Sequence, residues 1–342
     1  HVKIERKVFR ANERQRRIFV LYPRPSSAYD VAITKILNVF AEKGIVAEFT
    51  IVNFNRDDER AKSALKMADE GRYELIFSMG SESTAWLYNN YRGGKKPVVS
   101  VCSKDPVVLR QIGDYISGSG TNFAFTSLNM PIDVQMDYVK KLKPKLKNIG
   151  VLVNSKNVSA VQTQAQPLAR YARLRGIRVL NLAIQNPMNA REELAQLVAR
   201  AVATMRKNDP TLDNSVFWIT GSTAVFKEIA TINAHADRVP VLSVVPDVVK
   251  AGNDSAVLSV GIGFESNAHL AAIYGAEVLS GRTHVGDLKV GVVTPPDFAI
   301  NFRKAREIGL RIPYSFFERS SFVYDYDGIQ VRNKGRSTAK SN

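Results

Sequence analysis

Residues Val257–Asn301 read VLSVGIGFESNAHLAAIYGAEVLSGRTHVGDLKVGVVTPPDFAIN. A β-branched run closes on Gly261-Ile262-Gly263-Phe264. A helical pattern follows, with Leu270, Ile273, Val278 and Leu279 apolar and small residues between them. Gly281 stops the helix, and a second β-rich run reaches Val293. A strand, helix and strand placed so late predict a chain returning to a sheet laid down earlier.

The preceding residues supply that sheet. Ile18–Tyr22, Ile45–Phe54, Leu75–Phe77, Pro97–Val101 and Phe123–Phe125 are strand-like. Amphipathic helices fall between them, with Ile33, Ile36, Leu37 and Phe40 inward on the first and Ala61, Ala64, Leu65 and Ala68 on the second. Another series begins with a helix over Pro131–Leu142. Strands follow at Gly150–Val153, Arg178–Leu182, Ser215–Ile219, Val239–Val244 and Val257–Val260, with a helix over Val158–Arg175 and another from Arg191 to Arg206. Alternation of this kind predicts parallel α/β sheets, and its repetition predicts two Rossmann-like lobes with a cleft between them.

At 342 residues and 45% hydrophobic content, the chain can bury two cores. No apolar run reaches the roughly 18 residues needed to span a bilayer. The lone cysteine, Cys102, excludes an internal disulfide and a multi-cysteine zinc site. The net charge of +16 is partly local, since residues 1–17 carry seven Lys or Arg against two Glu and the Lys334–Lys340 tail is basic again. No zinc finger, recognition helix or aromatic-and-basic RNA-binding pattern accompanies it, so no nucleic-acid partner is expected.

Ligands of open parallel sheets sit beyond the carboxyl ends of strands. That rule selects Ser26, Ser27 and Tyr29 after the first strand, Ser78, Ser81, Ser83 and Thr84 after the third, and Ser103 and Asp105 after the fourth. In the second series it selects Asn154, Thr220, Ser222, Asp247, Phe264 and Glu265. Hydroxyls, amides and helix starts dominate this set and charge is sparse, which suits a small polar or zwitterionic solute. Tyr29 and Phe264 are the best placed to stack on it.

Catalytic patterns are missing. Gly261-x-Gly263 lacks the third glycine of a dinucleotide fingerprint, and no GxxxxGK occurs. Gly80-Ser81-Glu82-Ser83 lacks the second glycine of a nucleophile elbow. His1, His235, His269 and His284 are far apart in sequence and show no metal-ligand spacing. No catalytic residue, metal or cofactor is expected.

In order and spacing the chain resembles the periplasmic solute-binding components of ABC transporters, most closely the TrpX-like type I group. The resemblance covers Arg17 to Pro313. It rests on Lys104-Asp105-Pro106, Val151-Leu152-Val153-Asn154, Val239-Pro240-Val241, Gly275–Gly281, Asn301, and Ala305-x-x-Ile308-Gly309-Leu310-x-Ile312-Pro313. It implies a type I periplasmic-binding-protein fold, two lobes joined by a three-strand hinge, with Gly261–Gly263 as flexible backbone at a crossover.

The expected domains are a basic arm over 1–16, lobe 1 over 17–125 with 262–285, lobe 2 over 126–261 with 286–315, and a C-terminal extension with polar tail over 316–342. The implied protein is a monomer without catalytic activity, periplasmic or extracytoplasmic, its signal peptide removed and the chain tethered to the membrane before processing. It captures an amino acid or related carboxylate in the cleft and delivers it to an ABC permease in the inner membrane. Alternatives are a sensory module for a chemoreceptor or histidine kinase, and an enzyme on the same two-lobed fold. Two departures bear on the ligand. The loop after Asn154 runs Ser155, Asn157, Ser159, Ala160 where relatives carry Asn-Pro-x-Glu-x-Asn-Ser, and Gly221-Ser222 stands where relatives often have Asp.

Overall fold

The computed structural model describes residues 2–4 and 14–338; the rest of the expected arm 1–16 and residues 339–342 of the tail lie outside the described residues. The chain divides into two units. One runs to Leu128 and resumes over Phe264–Thr294; the other takes Asn129–Gly263 and the residues from Pro295 onward.

In the first unit β1 (Val2–Ile4), β2 (Arg16–Tyr22), β3 (Ala47–Asn53), β4 (Leu75–Met79), β5 (Val98–Val101) and β6 (Phe123–Ala124) form a sheet in the order β1-β3-β2-β4-β5-β6. Only β1 is antiparallel. Helices cover both faces: Ala32, Ile36 and Phe40 pack on Ile18, Val20 and Phe77, and Ala61, Ala64 and Leu87 on Phe19, Leu21 and Ile76. Strands buried on two faces read as continuous apolar runs, which is why β4 is buried at every position. A short strand β7 (Thr126–Ser127) ends this passage.

The second unit repeats the plan with β8 (Asn148–Asn154), β9 (Arg178–Ile184), β10 (Ser215–Ile219), β11 (Val241–Ser243) and β12 (Leu258–Gly261), all parallel in the order β9-β8-β10-β11-β12. The helix expected over Val158–Arg175 is a composite. An α-turn at Val158–Ala160 passes into a π-helix at Val161–Ala165 and then an α-helix at Gln166–Arg173.

After β12 the helix Phe264–Leu279 returns to the first sheet, as its position in the sequence predicts. Its small residues allow the approach: a Cβ on Gly275 would meet the Phe77 ring at 2.6 Å. Asn267, fully buried, fastens it there. The Asn267 Oδ1 accepts from the Cys102 amide at 2.7 Å and the Thr126 hydroxyl at 3.1 Å, and Nδ2 donates to the Ser127 carbonyl at 3.1 Å. Then β13 (Gly291–Val292) pairs in parallel with β7. That pairing keeps the chain in the first unit to Thr294, past the expected exit at 286.

The last passage differs from the expected tail. β14 (Asp297–Asn301) pairs antiparallel with β12, and β15 (Phe322–Tyr324), β16 (Gln330–Asn333) and β17 (Arg336–Ser337) extend the same sheet beyond it. The glycines of the opening stretch also serve another purpose than free torsion. Neither Gly261 nor Gly263 has a positive φ. Gly261 is a strand residue whose Cβ would fall 1.8 Å from the Val244 carbonyl oxygen, and the Gly263 amide donates to Asp297 Oδ2 at 2.9 Å. They are glycines because backbone and carboxylate come close.

Candidate functional site

The carboxyl ends of β2, β4 and β5 form a charged corner of the first unit. The turn after β2 carries Arg24. Gly80, at φ +78, turns the chain from β4 straight into the helix Gly80–Tyr91, and a Cβ there would lie 2.1 Å from the Tyr29 hydroxyl. Ser81 and Glu82 therefore emerge from the first helical turn. The Ser81 hydroxyl accepts from the Lys104 amide at 2.9 Å, joining the helix start to the loop after β5. Glu82 receives a two-pronged bond from Arg56, Nε at 2.8 Å and Nη2 at 2.7 Å.

Electrostatics here favour an anion. Burial alone would raise the Glu82 carboxyl, but its bonds to Arg56 and the charges of Arg56, Arg24 and Lys104 outweigh that and hold it below the usual range. Lys104 is buried, and desolvation reinforced by Arg24 pushes its ammonium down to about 8, with Glu82 and Cys102 pulling the other way. Arg24, Arg56 and Lys104 thus share one carboxylate, which Arg56 already grips. Arg24 Nε and Ser103 Oγ are buried and have no hydrogen-bond partner among the described residues. Such groups are costly to leave unmade.

Several expected ligand groups are hydrogen-bonded within their own unit. Ser78, Ser83 and Thr84 are fully buried; the Ser78 hydroxyl meets those of Ser83 and Thr84 at 3.1 Å each, and Ser83 donates to the Leu21 carbonyl at 3.0 Å. Ser83 and Thr84 lie inside the helix, where a loop was expected. Asp105 caps its own turn, accepting from the Val107 and Val108 amides at 2.9 and 3.1 Å and from the Tyr115 hydroxyl. Tyr29, expected to stack on a ligand, is buried in the core edge-on to Tyr22, and burial raises its hydroxyl pKa. Phe264 packs against the same core, and Glu265 pairs with Lys35 at 3.5 Å. Ser26 takes the cap position of the helix Ser27–Glu42 without a side-chain capping bond, and Ser27 is exposed.

The corresponding strand ends of the second unit are nearly uncharged. Thr220 and Ser222 are buried; the Thr220 hydroxyl donates to the Leu152 carbonyl at 3.0 Å and meets Ser222 at 3.0 Å. Asn154 is half-buried, its amide donating to Ser222 Oγ at 3.3 Å and its Oδ1 accepting from the Lys156 amide at 3.0 Å. Gln164, supplied by the π-helix, accepts from the Gly221 amide at 2.7 Å. Asp247 is exposed in the turn Pro246–Val248.

Sequence reasoning did not select Arg24, Arg56 or Gln164, which stand beside these strand ends; Lys104 lies in the loop Ser103-Lys104-Asp105 that it did select. Arg24 carried a signal, an arginine between two prolines directly after the first strand. Arg56 and Gln164 carried none. Among the described residues no group of His, Cys, Asp and Glu could hold a metal, and no helix is long and apolar enough to cross a membrane.

Residues 26–321 match the family of ABC transporter substrate binding proteins, and the chain belongs to that family. The family is a non-catalytic solute-binding type that works outside the cytoplasm and passes a small solute to a membrane permease. The chain is similar to the tyrosine-binding protein of Clostridioides difficile (strain R20291), 24% identical over 249 residues, or 73% of this chain and 67% of that one. Among solved structures it resembles a conserved domain protein from Vibrio cholerae, with a TM-score of 0.71, 19% identity, and coverage of 90% of this chain and 99% of the other. It also resembles an ABC domain in complex with L-Trp from Streptococcus pneumonia, with a TM-score of 0.69, 20% identity, and the same 90% and 99% coverage. These likenesses establish the two-lobed type I periplasmic-binding-protein fold expected above.

Proposed function

We propose that the protein binds a small amino-acid-like or related carboxylate and that the first unit's charged corner receives its anionic group. The observation that carries this reading is the coincidence of Arg24 Nε and Ser103 Oγ, both buried without a partner among the described residues, beside buried Lys104. A carboxylate would accept from Arg24, Ser103 and the ammonium together, and charge-assisted bonds of this type are the strong ones. Ser26, Ser27 and Ser81 add hydroxyls around it. Asn154 and Asp247 remain the polar groups we propose as candidates at the second unit's own strand ends. The names of two relatives, a tyrosine-binding protein and a complex with L-Trp, support a TrpX-like protein that takes an aromatic amino acid.

The test is direct. Mass spectrometry of solute retained through purification identifies a ligand, and calorimetry on native protein and Arg24→Gln measures its binding. The reading expects a carboxylate whose affinity collapses in the variant. A neutral polyol or a cation bound equally well by both proteins would sink it.

A further inference from the structure

The second unit carries a groove of about 740 Å³ between its composite helix and the edge strand β9, reaching from Val151 and Val179 to Ser155 and Ala183 at the carboxyl ends of β8 and β9. Its floor includes Val153, Val179 and Ala183, and its wall includes Val161, Ala165 and Ala169 of the composite helix. The first unit has bulkier packing under its corresponding helix. There the topologically matching helix, Ser27–Glu42 between β2 and β3, packs Phe40 onto its sheet, the ring 5.6 Å from Phe49 and 6.0 Å from Phe77. The second unit offers alanine and valine instead, and the π-turn that delivers Val161 and Ala165 is a device often found at functional sites.

Charge selects the occupant. Arg170 and Arg173, one helical turn apart, line the groove, and no carboxylate does. Among the described residues neither guanidinium has an ion pair or donates a hydrogen bond, whereas the neighbouring Arg175 stacks on Tyr171 at 3.6 Å. The volume is that of a small-molecule pocket. An apolar trough walled on two sides takes one hydrocarbon chain, and paired guanidinium groups at its rim take one carboxylate.

We propose that this groove is a second ligand site, for a single-chain aliphatic carboxylate. The chain lies along Val179 and Ala183 and the head meets Arg170 and Arg173. This site is distinct from the first unit's charged corner. Decanoate is the probe, titrated calorimetrically into the whole protein, with decanol as its uncharged counterpart. The expected result is saturable one-to-one binding, at least tenfold weaker for decanol and at least tenfold weaker in Arg170→Gln/Arg173→Gln. That variant alters exposed positions and keeps the retained solute's affinity unchanged. Ala183→Trp, checked for folding by circular dichroism, fills the groove and abolishes decanoate binding. Absence of saturable binding, equal binding of decanol, or undiminished binding in the double arginine variant overturns the proposal.

Discussion

The two units build the same latch and surround it with opposite chemistry. In the first, Ser83 donates to the Leu21 carbonyl at the end of β2; in the second, Thr220 donates to the Leu152 carbonyl on β8, each at 3.0 Å. Both latches are buried and tie the strand–helix junction to the neighbouring strand. Beyond them the first unit presents Arg24, Arg56, Glu82 and Lys104, and the second presents Asn154, Gln164 and the exposed Asp247. The shared hydroxyls are architecture. Recognition has to come from what differs.

The sharpest way to break this contrast is Arg24→Gln. Losing a charge-assisted bond costs about 1.5–3 kcal/mol, so calorimetry with the retained solute should show a weakening on the order of 100-fold. Asn154→Ala in the neutral corner should weaken binding by less than about tenfold, the scale of a neutral bond. Equal losses would remove the division of labour.

A pH series comes next, because Lys104 gives two slopes of opposite sign. Its folded pKa, about 8, lies below the ordinary 10.5, so between those values the unfolded chain binds more protons than the folded one. Stability of the solute-free protein should therefore rise over that window. Affinity for an anion should fall as pH climbs through about 8, since the ammonium that attracts it is lost. In Lys104→Met both slopes attributable to this residue should vanish, as read by denaturant melts and calorimetry across pH. A rise of affinity over the same window would exclude Lys104 from the site.

The latches should give the smallest effect on binding. Ser83→Ala and Thr220→Val each leave a buried carbonyl without its side-chain donor and should cost about 1–2 kcal/mol in urea unfolding. Solute affinity should stay within about twofold. A large affinity loss in Ser83→Ala with unchanged stability would return that hydroxyl to the ligand site.

Much of the fold was legible because it is periodic. The runs at Ile18–Tyr22, Leu75–Phe77 and Ser215–Ile219 all became buried strands, and the return of the helix after Gly263 followed from its order in the chain. Polar groups were less legible, because spatial adjacency decides what a polar group bonds to. Ser83 and Ser103 look alike in sequence, yet one hydroxyl is spent on Leu21 and the other has no hydrogen-bond partner among the described residues. Asp105, expected as a ligand carboxylate, accepts from the hydroxyl of Tyr115, ten residues later, a contact the sequence did not show. Gly261–Gly263 stands where the chain passes from one unit to the other, as expected, but the sequence did not show that the Val244 carbonyl lies 1.8 Å from where a Gly261 Cβ would stand.

By itself the sequence determined the number of α/β series, the strands, the order of return and, through its resemblance, the family. Those depend on spacings of two to four residues and on the sequence of motifs, both of which survive in one dimension. Tertiary structure decided which loops share a corner, which hydroxyls are consumed by neighbouring carbonyls, and that Arg24, Arg56 and Lys104 meet around one carboxylate. Charge and hydrogen bonding act over a few ångströms of space, and residues 24, 56, 82 and 104 become neighbours only when the sheet brings their strand ends together.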